Sequence, residues 1–204
     1  MDVWKEVEDE RRELGDLLEG LTPEQWEAQT LCDAWKVRHI VAHVSQSTMS
    51  MLRFFRGLPA AGFDFNKVIA KDAIRNGSAD TAAVLERFRQ DITLHKVPPG
   101  LNPTTVLSDI VLHHQDIRRP LGMLRGIPTD RLIAVADEMK GRRALGNKQR
   151  IAGMRLVAAD ADWWHGDGPE VTGTLEALTM AMCGRKPPAA DLSGEGLETL
   201  LARL

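Results

Sequence analysis

The sequence predicts a mainly helical protein in which a helical bundle is followed by a small mixed α/β region. Apolar residues recur at three- and four-residue spacing through most of residues 1–148, which is typical of amphipathic helices. After Gly146 the pattern changes, because residues 151–160 alternate in part like a strand and residues 162–169 are rich in turn formers. We therefore place a domain boundary near residue 148, with the bundle over 1–148 and the α/β region over 149–204.

Helix signals mark each element of the predicted bundle in turn. The apolar stripe of residues 3–18 predicts the first helix, and residues 22–25 combine a threonine N-cap, a proline and a capping-box glutamine. Asp33 is predicted to cap a third helix that runs on to Gly57. Further helices are predicted over about residues 66–75, 79–94, 104–119 and 129–145, because breaks containing Gly, Pro or Asn separate them.

The last part of the chain is predicted to mix strands with short helices. Residues 151–160 are expected to form a strand, which is followed by the turn-rich segment 162–169. A helix is expected to begin near Thr174 and to stop at Gly184. Residues 192–198 then lead into a last short element.

Composition excludes several classes of protein. The 204 residues are 43% hydrophobic and 27% charged, as in an ordinary globular protein with a core of its own. A net charge of -3 provides no basic surface for nucleic acid or for an anionic membrane. The two cysteines, Cys32 and Cys183, are too few for a disulfide framework and indicate a reducing compartment. Since neither a signal peptide nor a membrane-spanning segment is evident, we expect a cytoplasmic protein.

Two residue pairs of the bundle are candidate metal ligands. His39 and His43 lie four residues apart on one predicted helix, and Asp109 and His113 share the same spacing on another. This spacing places both side chains of a pair on one helical face. Imidazole and carboxylate are ligands of divalent zinc, nickel, iron and manganese, and helical bundles build metal sites from facing helices. His114 is rotated by about 100° from its neighbour and is not expected to share the site.

Alternatives to a metal site remain open at this point. A single His-x-x-x-His on a helix is usually chance, and Asp109 needs a metal or another partner only if it is buried among its apolar neighbours. If it faces solvent instead, it pairs with a basic residue. Asp116 follows His113 by three residues and is placed either to orient that imidazole or to pair with Arg119.

Several segments together resemble the mycothiol-dependent maleylpyruvate isomerase family, a branch of the DinB-like helical-bundle superfamily. The segments are residues 30–43, 109–122, 155–171, 183–185 and 192–196, so the resemblance covers essentially the whole chain. It implies a DinB-like up-down four-helix bundle with a small C-terminal α/β subdomain. It also implies one divalent metal, zinc or alternatively nickel, held by a histidine of the second helix and by a Glu-x-x-x-His of a later one.

Carried over residue by residue, the resemblance implies His43, Asp109 and His113 as the metal ligands. His39 stands where the family often has aspartate and is therefore not an expected ligand. Asp109 stands where the family usually has glutamate, so this sequence departs from the family pattern by one methylene at a ligand. The departure concerns the affinity and the metal preference of the site more than its location.

The implied activity is that of a mycothiol-dependent isomerase or S-transferase. Three protein ligands leave positions open on the metal, where a thiol such as mycothiol is expected to bind as the thiolate. The thiolate adds to a small electrophilic substrate, which then either isomerises or remains as an S-conjugate. Arg185, after Gly184, is a candidate catalytic residue that binds a carboxylate of substrate or cofactor, although pairing with Asp191 is an equal alternative.

Two other classes of function compete with this one. The first is a non-catalytic metal-binding or ligand-binding bundle, which the Asp109 departure slightly favours. The second is a metal-dependent hydrolase that uses metal-bound water, with Asp116 or His39 as the general base. A homodimer is plausible, but nothing in the sequence decides the oligomeric state.

Overall fold

The computed structural model describes residues 1–45, 51–186 and 189–204. Contacts divide the chain into two compact units, one formed by Asp2–Leu124 and the other by Arg125–Leu204 with Met1. The first unit is helical, and the second adds a small four-stranded sheet to its helices. The predicted fold class, mainly α with a small C-terminal α/β region, is confirmed. No helix among the described residues is long and apolar enough to cross a membrane.

The N-terminal unit consists of helices joined by loops of different lengths. α1 packs against α6 and α7, while α3 packs against α5, α6 and α7. Side chains such as Leu14, Val41, Phe88 and Leu107 form its core and are almost fully buried. The helices are α1 Val3–Glu19, α2 Pro23–Trp26, α3 Val37–Val44, α4 Met51–Gly57, α5 Phe65–Gly77, α6 Thr81–Gln90 and α7 Pro103–Arg118, with a 3-10 turn at Pro59–Ala61.

Capping residues explain where two of these helices begin. The Thr22 side chain accepts from the backbone N–H of Gln25, and the Gln25 side chain accepts from the backbone N–H of Thr22, which confirms the predicted capping box. Asn102 caps α7 in the same way, with Pro103 at the first helical position. Each helix start therefore has partners for N–H groups that have no acceptor inside the helix.

The predicted start of the third helix at Asp33 is wrong. α3 begins at Val37, because residues 29–36 form a closed loop that holds Asp33 in a turn. An isolated antiparallel bridge between Gln29 and Lys36 closes the loop, and the Thr30 hydroxyl donates to the carbonyl of Trp35. A short polar residue before an apolar stripe fits a turn as well as an N-cap, so sequence alone could not separate the two.

The third helix is also shorter than predicted. The sequence predicts one helix on to Gly57, but α3 ends at Val44 because the Ser45 backbone is extended. The buried Ser45 hydroxyl donates to the carbonyl of Val41, which competes with the helical hydrogen-bonding pattern. Part of the predicted continuation, residues 46–50, lies outside the described residues, and α4 follows from Met51.

The C-terminal unit surrounds a small mixed sheet. Its strand order is β2-β1-β3-β4; β1 and β3 run parallel, and the two outer pairs are antiparallel. α10 packs against β1, β3 and α8. The elements are α8 Thr129–Lys140, α9 Asn147–Arg150, β1 Arg155–Ala158, β2 Trp164–His165, β3 Glu170–Gly173, α10 Leu175–Met182, a 3-10 turn at Ala189–Asp191, β4 Leu192–Ser193 and α11 Leu197–Leu201.

The contact boundary between the units falls near residue 125, whereas the sequence places a boundary near residue 148. The difference is helix α8, which packs against α9 and α10 and so belongs to the C-terminal unit. Helical periodicity predicts that α8 is a helix, but it does not say against which core the helix packs. The cap of α10 at Thr174 is as predicted.

Candidate metal centre

The structure brings the three residues of the implied ligand set together. His43 lies in α3, while Asp109 and His113 lie one turn apart in α7, and each offers an atom within 4.8 Å of the others. The two carboxylate oxygens of Asp109 divide between the imidazoles, since Oδ2 lies 3.5 Å from Nε2 of His43 and Oδ1 lies 3.5 Å from Nε2 of His113. The packing of α3 on α7 therefore creates a cluster of two nitrogen donors and one carboxylate.

The cluster is buried on its histidine side and open on its carboxylate side. The exposed fractions of the side chains are 8% for His113, 13% for His43 and 43% for Asp109. The two imidazole rings meet edge to face, with centroids 5.0 Å apart. The sequence left open whether Asp109 is buried beside a metal or another partner, or faces solvent. In the structure Asp109 is half exposed and also faces two imidazoles.

A buried carboxylate orients the His113 ring. Oδ2 of Asp116 lies 2.9 Å from Nδ1 of His113, and Asp116 is fully buried. A carboxylate at this distance accepts the Nδ1 proton, which leaves the lone pair of Nε2 for the side of the ring that faces Asp109. The sequence allowed Asp116 either to orient His113 or to pair with Arg119. The structure shows the direct contact with the imidazole of His113.

Cys32 also contacts this carboxylate, which the sequence did not reveal. Its thiol donates to the same Oδ2 of Asp116 at 3.1 Å, and its sulfur lies 3.9 Å from Nδ1 of His113. The loop that carries Cys32 is fixed to α7, because the N–H of Leu31 donates to the carbonyl of Asp116. Cys32, His113 and Asp116 are close enough to hold an ion themselves, but their contacts are those of hydrogen bonds that support His113. The sequence could not reveal this contact, because no residue spacing predicts that a cysteine in a loop meets a helix far along the chain.

Trp35 covers the histidines with an aromatic surface. Its ring centroid lies 4.7 Å from that of His43 and 5.4 Å from that of His113. Trp35 is itself buried, and its indole N–H has no hydrogen-bond partner among the described residues. A large apolar ring beside two imidazoles excludes water from them and strengthens the electrostatic interactions there.

His39, the fourth candidate, is not part of the described clusters of potential metal ligands. Its Nδ1 accepts from the backbone N–H of Lys36 at 3.3 Å, so the ring turns back toward the start of α3. Burial, followed by the positive charges of Arg38 and Lys36, lowers the pKa of His39 below its ordinary value. The ring therefore favours its neutral form at the first turn of the helix.

His114 belongs to a second buried polar cluster. Its Nδ1 lies 2.7 Å from Oε1 of Glu10, and both side chains are fully buried. Arg118 donates through Nε to Nε2 of His114 at 2.7 Å, so His114 carries its proton on Nδ1 and donates it to Glu10. The prediction that His114 does not share the site of His113 agrees with this geometry, whereas no sequence pattern points to Glu10 as its partner.

Arg185 lies in the C-terminal unit, just after α10. Its Nη1 donates to the carbonyl of Cys183 at 3.0 Å. The implied catalytic role of Arg185 stays a prediction. Trp163 and Trp164 lie in the same unit; Trp163 is buried and donates to Asp137, while Trp164 is exposed beneath the guanidinium of Arg155.

The family resemblance is tested by comparison with known proteins. Residues 7–96 match the sequence model of the mycothiol maleylpyruvate isomerase N-terminal domain. These residues are similar to that domain, and the predicted resemblance to the family is confirmed. The matched range includes His43 but ends before Asp109 and His113, so these two candidate ligands rest on the geometry of this structure.

Solved structures extend the likeness beyond this N-terminal domain. A crystal structure of a histidine-to-alanine mutant of the mycothiol-dependent maleylpyruvate isomerase has a TM-score of 0.66 and 12% identity over 95% of this chain and 92% of that chain. A second crystal structure of the mycothiol-dependent maleylpyruvate isomerase has a TM-score of 0.59 and 13% identity over the same shares. At such identities the likeness concerns the fold. No curated protein matches this chain in sequence.

Proposed function

We propose that the protein is a metal-dependent and mycothiol-dependent enzyme, an isomerase or S-transferase, that acts on a small electrophilic substrate. The observation that carries the proposal is the meeting of His43, Asp109 and His113, with one potential ligand atom of each within 4.8 Å of the others. The choice of mycothiol as the thiol, and of this class of reaction, rests on the likeness to the N-terminal domain family and to the fold of the solved structures. The proposed location of the enzyme is the cytoplasm.

The donor set fits a divalent metal ion. Two imidazole Nε2 atoms and one carboxylate are a ligand set that zinc accepts and that nickel also tolerates, and we propose zinc first. Three protein ligands leave room for an exogenous molecule. When bound, the ion supplies a positive charge that favours the thiolate form of a coordinating thiol near neutral pH.

The surrounding residues prepare the site for this chemistry. Asp116 holds the proton of His113 on Nδ1, so that Nε2 keeps the lone pair that a ligand needs. Trp35 screens the two imidazoles from water on its side of the cluster. The half-exposed side chain of Asp109 marks the open side, which is where the thiol and the substrate would approach.

The aspartate in place of the family's glutamate is compatible with a ligand role. Its two oxygens already lie at equal distances, 3.5 Å, from the Nε2 atoms of His43 and His113. The helices α3 and α7 therefore lie close enough for the shorter side chain to reach both imidazoles. The aspartate is therefore compatible with metal binding. This weighs against the alternative that the site lost its metal when aspartate replaced glutamate.

The test is an assay of the zinc-loaded protein with mycothiol and an electrophile, for which we choose maleylpyruvate and an alkylating fluorogenic halide. We expect turnover that depends on both metal and thiol and that falls at least about tenfold in His43→Ala. His39→Ala is the matched control, because it removes an imidazole from the same helix outside the cluster. Bound metal is counted in all three proteins by mass spectrometry.

The products separate the competing functions. Isomerised product with thiol recovered indicates an isomerase, and consumption of thiol indicates an S-transferase. Turnover without any thiol would favour a hydrolase. Stoichiometric metal without turnover of either electrophile would favour a binding protein, and an unchanged metal content in His43→Ala would refute the site itself.

A further inference from the structure

A small open recess on the C-terminal unit has two arginines in its lining. Its volume is about 220 Å³, and it is lined by Gly146, Gln149, Arg150 and Arg203. Two arginines therefore line one recess that has no carboxylate in its lining. The volume is below that of a typical drug-sized pocket, which is roughly 300–1,000 Å³, and suits a small ion or organic acid.

Neither arginine has a charged partner among the described residues. Nη1 of Arg150 donates to the carbonyl of Met182 at 2.6 Å and to Oδ1 of Asn147 at 3.2 Å. Nη1 of Arg203 donates to the carbonyls of Arg150 and Ala152 at 2.9 and 2.7 Å. These acceptors are neutral, so the two positive charges remain uncompensated at the same recess.

Arg150 also leaves a buried donor unsatisfied. Its Nε is buried and has no hydrogen-bond partner in the described part of the chain. A buried N–H without an acceptor destabilises the folded state, and such groups in folded proteins commonly mark a water or an ion. An anion in the recess would supply the missing negative charge, and the unsatisfied Nε shows that the guanidinium has donor capacity left over.

The backbone makes space for this guanidinium. Gly184 and Gly146 both have positive φ, 86° and 75°, which favours glycine at these positions. A Cβ at Gly184 would lie 3.1 Å from Nη2 of Arg150, and one at Gly146 would lie 3.5 Å from the same atom. A side chain at Gly184 would therefore press the guanidinium out of its position beside the cavity.

We propose that Arg150 and Arg203 form a binding site for a small oxyanion, a carboxylate or a phosphate group, distinct from the metal centre of the N-terminal unit. A guanidinium presents donors in a fixed fork that matches both groups. Each arginine uses Nη1 on neutral acceptors, so further donors of both forks remain for the ligand. The proposal does not depend on the reaction performed at the metal centre.

The experiment titrates the full-length protein with inorganic phosphate and, separately, with succinate at constant ionic strength. Binding is followed by calorimetry and by the shift of the Gly146 amide in NMR spectra. We expect saturable binding with one site per chain that weakens by about tenfold or more in Arg203→Gln. Arg143→Gln is the matched control, because it removes the same charge from an exposed position outside the cavity.

Two further variants keep the test decisive. Arg203→Lys retains the charge but not the fork, so it should weaken binding even if Arg203→Gln fails to fold. His43→Ala should bind the anion as the unmodified protein does, which separates this site from the metal centre. Preference for phosphate over succinate, or the reverse, identifies the ligand chemistry. Absence of saturable binding of both, an equal loss in Arg143→Gln, or a loss in His43→Ala would each overturn the proposal.

Discussion

Nδ1 of His113 and Oδ2 of Asp116 lie 2.9 Å apart on α7, and the carboxylate is fully buried. Partners of this kind fix the tautomer and raise the basicity of a metal-ligating imidazole. We therefore expect Asp116→Asn to lower the affinity for zinc by about 10–100-fold, because the amide can present a donor where the imidazole needs an acceptor. Competition with a chelating dye measures the change.

Cys32→Ala is the control for this variant. The thiol donates to the same oxygen of Asp116, and its sulfur, 3.9 Å from Nδ1 of His113, is a much weaker acceptor than the carboxylate. Its removal should change the zinc affinity much less than Asp116→Asn does. An equal effect of the two substitutions would mean that Asp116 acts by holding the loop of Cys32 rather than by orienting the imidazole.

Asp109 provides a second test of the ligand set. Its side chain is 43% exposed, so the extra methylene of Asp109→Glu has room on the open side of the cluster. We expect Asp109→Glu to keep zinc stoichiometric, whereas Asp109→Ala should lose it, because two imidazoles alone bind zinc weakly. Metal analysis of the dialysed proteins distinguishes the two outcomes. Retention of zinc in Asp109→Ala would remove this carboxylate from the ligand set.

The buried cluster of Glu10, His114 and Arg118 is expected to stabilise the N-terminal unit by joining α1 to α7. Glu10→Ala should lower the free energy of unfolding by about 1–3 kcal/mol, because it leaves the N–H of His114 buried without its acceptor. Urea denaturation measures this loss. Asp16→Ala, at an exposed position of the same helix, should change the stability by less than about 0.5 kcal/mol.

The sequence predicts the parts of the site that are local along the chain. The four-residue spacing of Asp109 and His113 and the capping box at Thr22 follow from helical geometry, and both are found in the structure. The contact of Glu10 with His114 joins two helices that are distant in sequence. The contact of Cys32 with Asp116 likewise depends on how a loop closes. Such contacts arise from packing, which no periodicity encodes.

His39 should make stability depend on pH. Burial and the charges of Arg38 and Lys36 lower the pKa of His39 in the folded state, while the unfolded chain has the ordinary value of about 6.5. As the pH falls below 6.5 the unfolded state binds more protons, so the free energy of unfolding decreases until the folded pKa is passed. We expect His39→Gln to flatten this part of the curve.

The measurement is urea denaturation of the metal-free protein and of His39→Gln between about pH 5 and pH 8. The variant should differ in slope below about pH 6.5 and not above it. His165, whose pKa is also lowered by burial, lies in the other unit and leaves some pH dependence in the variant. Parallel curves for the two proteins would contradict the prediction.

Two glycines of the N-terminal unit should respond to alanine in opposite directions. A Cβ at Gly77, the last residue of α5, would lie 2.8 Å from the carbonyl oxygen of Arg38 and 2.9 Å from Cα of His39. These are backbone atoms of α3, the helix that carries His43, and they cannot yield without moving it. Gly15 lies inside α1, where a Cβ would only touch the ring of Phe88 at 3.8 Å.

Gly77→Ala is therefore expected to lower the free energy of unfolding by about 2 kcal/mol or more, as overpacking does, and to weaken zinc binding by shifting His43. Gly15→Ala should raise the free energy by about 0.5–1 kcal/mol, because alanine is the better helix former and meets no clash. Chemical denaturation and zinc titration of both variants check the pair. A stable Gly77→Ala with unchanged zinc affinity would show that the close approach of α5 to α3 does not position the metal centre.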